Sequence, residues 1–287
     1  KHDIEHEFLL EDFVPVLNTR VYDFFDEGDS IYLDDSYFGQ IRIPAYPNVP
    51  KAAYNYDNLF FENNRYTYHD DNGNVISKTG IDVSHHQMGI DWERVAADGI
   101  EFALIRVGYR GYEEGKLNID SQFHNHISGA IDAGIDVGVY FYSQAITVEE
   151  AREEALLVLE NIQNYKITYP VIYDWELPDA ENARTNGLDG ETLTECAAMF
   201  CDTIADSGYL PMIYAGKRLA LLVMDMSKLS DYDFWYPQYK DGHNNPEFAY
   251  NFQIWQYASD GKVDGINGDV DLNICFVDYK TTMRGRY

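Results

Sequence analysis

The chain has 287 residues, 45% of them hydrophobic, and a formal net charge of −28. That length buries a sizeable core, either as one large domain or as a domain with an appendage. The acidity argues against a nucleic-acid partner, whose phosphates need Lys and Arg, and no run reaches the roughly 18 uninterrupted apolar residues of a membrane span.

Residues 1–79 lack a helical period. "YFGQIRIPAYPNVPKAAYNYDNLFFENN" is rich in Tyr, Asn and Pro, and "NRYTYHDDNGNVISKTG" predicts a hairpin turning at Asp71–Gly73. A small β-rich or extended amino-terminal region is expected, with a short helix near residues 10–25. It is either a separate module or a strap packed on the rest of the chain. The sequence thus divides into 1–79 and 80–287.

From Gly80 strands and helices alternate. "GIDVS" (80–84) reads as a strand, and "DWERVAADG" (91–99) as a short helix with Asp91 as cap and Gly99 as stop. "EFALIRVGY" is the second strand, followed by a helix from Asp120 to about Ala133. "DVGVYFYS" (136–143) is the third, and 147–163 is a helix opened by a Thr147–Glu150 capping box. "YPVIYDWE" (169–176) is the fourth. A helix over 191–206 with a Thr192–Glu195 box comes next, then "LPMIYAG" (210–216). Cys196 and Cys201 fall on that helix as buried thiols, and with Cys275 they are too few for a disulfide framework. After a helical segment near 217–225, the strands "DFWYPQY", "FQIWQY" and "DLNICF" follow with little helix between them. The fold class predicted is α/β, an irregular (β/α) barrel whose later strands lack helices.

In such a barrel, chemistry sits at the carboxyl ends of the strands. Asp174 and Glu176 are one residue apart at the end of an apolar strand, so they share a face with Cα atoms ~7 Å apart. Burial and mutual repulsion raise the pKa of one such acid until it can donate a proton near neutral pH, which is what breaking a glycosidic bond requires. Glu176, longer and outermost, is the better donor; Asp174, one pleat deeper, orients the group that attacks the anomeric carbon. Asp82 and Asp271 lie at or near comparable strand ends. Asp82 could equally cap a turn or pair with Arg106, and Asp271 sits in an Asp-rich loop beside Asp264 and Asp269. That loop lacks the spacing of a calcium motif. Adjacent His85 and His86 are expected to face opposite ways, with no third ligand at metal spacing. Tyr140, Tyr214, Tyr239 and Trp255 occupy matching strand positions and are candidates for a sugar groove, or for core. Trp175 is expected to pack behind the acid pair.

The segments "GIDVSHHQMGIDWERV", "FALIRVGYR", "VGVYFYS", "YPVIYDWE", "PMIYAG" and "FQIWQYASDGKVDGINGDVDLN" resemble, in order, the motifs of glycoside hydrolase family 25, the lysozymes that act as N-acetylmuramidases. The resemblance runs from about residue 80 to 277. It implies Glu176 as catalytic acid, Asp174 assisting the N-acetyl group or a water, and Asp82 and Asp271 shaping the pocket. It further implies hydrolysis of the β-1,4 bond between N-acetylmuramic acid and N-acetylglucosamine in peptidoglycan glycan strands. No metal or organic cofactor is implied, and a secreted or wall-associated monomer is expected. The family often has a His where this chain has Phe141, and the resemblance leaves residues 1–79 unexplained. Two rival functions are an inactive wall-binding module and a chitinase-like hydrolase of N-acetylglucosamine polymers.

Overall fold

Two antiparallel hairpins precede a closed sheet in the computed structural model, which describes residues 30–35, 38–239 and 244–280. The first hairpin pairs β1 (Ser30–Asp35) with β2 (Gly39–Pro44), and the second pairs β3 (Leu59–Glu62) with β4 (Arg65–Tyr68). The second turns on Asn63 and Asn64, both in the left-handed region (φ 52° and 61°), which asparagine tolerates and tight hairpins require. The turn expected at Asp71–Gly73 is also present, with Gly73 N donating to Asp70 O at 2.9 Å. Pairing beyond it is confined to a bridge between His69 and Val75. The helix expected near residues 10–25 lies outside the described residues.

The barrel comprises β5 (Lys78–Val83), β6 (Phe102–Arg110), β8 (Asp136–Ser143), β9 (Val171–Trp175), β10 (Pro211–Tyr214), β11 (Asp233–Pro237), β12 (Ile254–Gly261) and β13 (Val270–Cys275). A short strand, β7 (Leu117–Ile119), extends the end of β6. Neighbours from β5 through β12 run parallel, and β13 runs antiparallel between β12 and β5 to close the ring. Helices α1 (Trp92–Ala97), α2 (Phe123–Asp132), α3 (Val148–Ile162) and α4 (Gly190–Asp206) follow the earlier strands. After β10 there is one π-type turn, Leu219–Val223, and the described residues between β11, β12 and β13 form no helix. The expected eight strands and loss of late helices are thus the fold observed.

Local chemistry sets the helix ends. Asp91 and Thr147 cap α1 and α3 by accepting from the backbone N–H groups of Arg94 and Glu150. At α4 the cap is Asp189, which accepts from Thr192 N at 2.8 Å, so the helix starts before the predicted Thr192–Glu195 box. Gly208 ends α4 with a φ of +86°, a conformation costly for any side chain.

Without late helices, the outer faces of β12 and β13 need another cover, and the amino-terminal region supplies it. Ala52 N donates to Ala249 O, and Asn251 N donates back to Pro50 O at 2.8 Å. Tyr54 donates to Phe252 O at 2.5 Å and packs 4.4 Å from Phe276, while Tyr66 lies 4.7 Å from Trp255. Buried residues from Ala45 to Tyr66 therefore share one hydrophobic core with the barrel's outer layer. A separate cluster fills the interior, where Phe102 stacks on Tyr169 at 4.6 Å below Tyr140, Tyr214 and Trp235. No helix of the described residues is long and apolar enough to cross a membrane.

Candidate active site

The site lies at the end of the barrel where the parallel strands finish. Every residue of β9 is buried, and its alternation decides the chemistry: Ile172 and Asp174 turn inward, while Tyr173 packs outward against Phe200 of α4. Trp175 is buried on that outer side, as expected of a residue behind the acid pair. Glu176 leaves the strand at the rim, where solvent reaches its side chain. Gln144, fully buried, donates to the Glu176 carbonyl at 2.9 Å and accepts from Thr185 Oγ1 at 2.7 Å, which anchors that turn.

Asp82, at the end of β5, is directly opposite Asp271 across the antiparallel β5–β13 pair. Because β13 runs against the other strands, Asp271 near its start reaches the same rim that the others reach at their ends. One oxygen of Asp82 accepts from Gln256 Nε2 and Asn273 Nδ2, both at 2.7 Å, and the Asp271 carboxyl hydrogen-bonds to Asp82. Of the alternatives open for Asp82, the pairing with Arg106 does not form; Arg106 pairs with Asp120 at 2.8 Å. His85 also contacts Asp120, and its ring lies 4.1 Å from that of His86. The two histidines therefore face together, contrary to expectation, because they occupy a turn beyond β5 where strand alternation no longer applies.

Electrostatics bind the four acids into one unit. Burial pushes Asp82 up to about 6, offset by its two amide donors. Glu176 is raised to about 7 by desolvation and then by Asp82, and Asp271 to about 9 by burial and by Asp82. Asp174 is held well above the usual carboxylate range by burial, Glu176 and Asp82, with Arg106 acting the other way. Protein atoms crowd the Glu176 carboxyl, although the residue as a whole is exposed at the rim. Like charges so placed cannot all ionise together, so the cluster retains protons at neutral pH. The Asp174 Oδ1 atom is buried and makes no hydrogen bond among the described residues.

Aromatic side chains complete the floor. The Tyr214 and Tyr239 hydroxyls donate to Gln256 Oε1 at 3.0 and 2.5 Å. Tyr239 is 48% exposed and forms the wall, whereas Tyr140 and Tyr214 are buried beneath, packed on Trp235. Trp255 does not join them. It points to the outer side of β12 and donates to Gln238 O at 3.2 Å, because the neighbouring Gln256 takes the inner face. Sequence reasoning also missed Tyr142, which pairs with Asp174 across β8–β9, and the amides Gln256 and Asn273. Counting two residues on from Asp271 along its strand would have found Asn273.

Residues 81–266 match the sequence profile of Glycosyl hydrolases family 25. The chain belongs to this family. Family 25 membership makes it a glycoside hydrolase of the lysozyme type. The uncharacterized protein YegX of Escherichia coli is 29% identical over 203 residues, 68% of either chain. The autolytic lysozyme of Clostridium acetobutylicum is 24% identical over 194 residues, covering 68% of this chain and 54% of that one. The modular autolysin LytC from Streptococcus pneumoniae shares the fold, with a TM-score of 0.61 and 22% identity over 85% of this chain and 56% of its own. The family 25 chain described here thus spans little more than half the length of the clostridial and pneumococcal proteins.

Proposed function

We propose that the chain hydrolyses the β-1,4 bond between N-acetylmuramic acid and N-acetylglucosamine in peptidoglycan, with Glu176 as general acid. One observation carries the reading. Glu176 is raised to about 7, so it holds a proton near neutral pH, yet it opens to solvent beside three further carboxyls. An acid poised near the working pH is the group that protonates a departing sugar oxygen.

The other residues take supporting roles. The unpartnered Oδ1 of Asp174 is suited to accept the N–H of a bound N-acetyl group or a proton of a water, turning either toward the anomeric carbon. Asp82, clamped by Gln256 and Asn273, places negative charge beside the developing oxocarbenium ion and helps to keep Glu176 protonated. Tyr239 offers a ring face at the wall for sugar stacking, with Tyr140 and Tyr214 supporting the floor from below. The substrate places the enzyme outside the cell or at the wall.

Incubation with peptidoglycan and with chitin oligomers, followed by mass spectrometry of new reducing ends, tests the assignment. Muramic reducing ends are expected, and Glu176→Gln should lower the rate at least about a hundredfold with the fold unchanged. Glucosamine ends from chitin alone would redirect the substrate, and an undiminished Glu176→Gln rate would remove the acid from its role.

A further inference from the structure

Among the described residues, the Glu176 carboxyl makes no hydrogen bond or ion pair; burial and the charge of Asp82 are what act on it. Nothing at the tip of the side chain fixes where it lies, so the place of its proton depends on where the backbone is held. The ladder between β8 and β9 does not hold it, because that ladder ends at Ser143 and Trp175. The next carbonyl, that of Glu176, lies past the last paired residue.

Gln144 takes over where the ladder stops. Its side chain is buried and its amide is fully committed: Nε2 donates to the Ser143 and Glu176 carbonyls, both at 2.9 Å, and Oε1 accepts from Thr185 Oγ1 at 2.7 Å. One amide thus ties the end of β8, the first residue beyond β9 and a later part of the same loop. Thr185 is itself buried, so water does not compete for these bonds. The tie is backed by α3. Arg184 donates to the Gln144 carbonyl at 3.2 Å and pairs with Glu150, in the first turn of that helix, through contacts of 2.7 and 2.8 Å. Ser143 donates to the buried Glu154 of the same helix at 2.6 Å. An apolar residue at 144 would fill the space at a lower desolvation cost, but it could not hold the Glu176 carbonyl.

We propose that Gln144 is the positioning residue of the general acid: by holding the Glu176 carbonyl, it sets the depth at which that side chain enters the barrel mouth. The proposal rests on the reading of Glu176 as proton donor. The amide acts through the Glu176 backbone and not on the sugar. Without it, the start of the loop relaxes outward and takes the carboxyl away from Asp82 and from the atoms that crowd it. A displacement of about 1 Å in a reacting group can cost on the order of a hundredfold in rate.

Kinetics of Gln144→Met in the full chain provide the test, since this change keeps the length of the side chain and removes the amide. The signal is release of muramic reducing ends from soluble peptidoglycan, read per folded molecule below the unfolding temperature of each variant. We expect kcat to fall at least about tenfold with KM unchanged. The pH above which kcat falls should also drop from about 7 toward the ordinary carboxylate range, because Glu176 leaves the burial that raises it. Thr185→Val should move both readings the same way by less, and Thr185→Ser, which keeps the hydroxyl, should restore them. Adding Thr185→Val to Gln144→Met should cost nothing further. An unchanged kcat, or a lower one with the pH limb still near 7, would overturn the proposal. Should Gln144→Met not fold, Thr185→Val decides on the same two readings. An undiminished Glu176→Gln rate would instead overturn the reading of the acid, whatever these variants show.

Discussion

A carboxyl such as Asp174, buried beside Glu176 and Asp82, binds its proton more tightly in the folded chain than in the unfolded one. Its folded pKa lies above its unfolded value, so its contribution favours folding in acid and is lost as pH rises. Asp82 and Asp271, at about 6 and about 9, act in the same direction, which puts the cost between about pH 4 and 9. Asp174→Asn should therefore raise stability at pH 7 by on the order of 1 kcal/mol while lowering activity. Urea unfolding at pH 5 and pH 8 would measure it, with the larger gain expected at pH 8. Hydrolysis by the parent should fall as pH passes about 7, when Glu176 surrenders its proton. These acids were readable because ionisable groups at the ends of apolar strands stand out from their surroundings. The amides Gln256 and Asn273 were not, because neutral polar residues carry no such contrast until their partner, Asp82, is in place.

Elements formed where local chemistry and hydrophobic period agreed, as in α3 and β8, whose ends match their sequence signals closely. They departed where a competing local group existed: Asp189, three residues ahead of Thr192, offered a carboxylate cap that a threonine hydroxyl could not displace. Trp255, a candidate for the groove or for the core, lies in the core for a related reason. Aromatic identity suggested a sugar platform, but strand alternation gives the inner face to Gln256, and a bulge between Gln256 and Ala258 then shifts the register. Inside the barrel, Gly80 makes a sharper demand. A Cβ there would lie 2.3 Å from the Phe102 ring, which is itself stacked on Tyr169 and has no room to retreat. Gly80→Ala should cost about 1–3 kcal/mol, read as a lower urea midpoint with an unchanged slope. An unchanged midpoint would show that the ring moves freely.

At the scale of the molecule, the division at residue 79 is one of sequence, while the core runs across it. Periodicity could not reveal this, because a strap that replaces missing helices is shaped by the strands it covers and carries no repeat of its own. A chain beginning at Lys78 would expose Phe252, Trp255 and Phe276, so it should aggregate or lose cooperative unfolding. Cooperative melting at the parent temperature would instead mark the region as separable. The antiparallel seam has a consequence for biosynthesis. Translation delivers β13 after the other seven barrel strands, and until it inserts, β5 and β12 are open edges and Asp82 lacks both Asp271 and Asn273. A nascent chain in which β13 has not yet inserted therefore has neither a finished barrel nor a complete set of carboxyls, and competence arrives in one step with that strand.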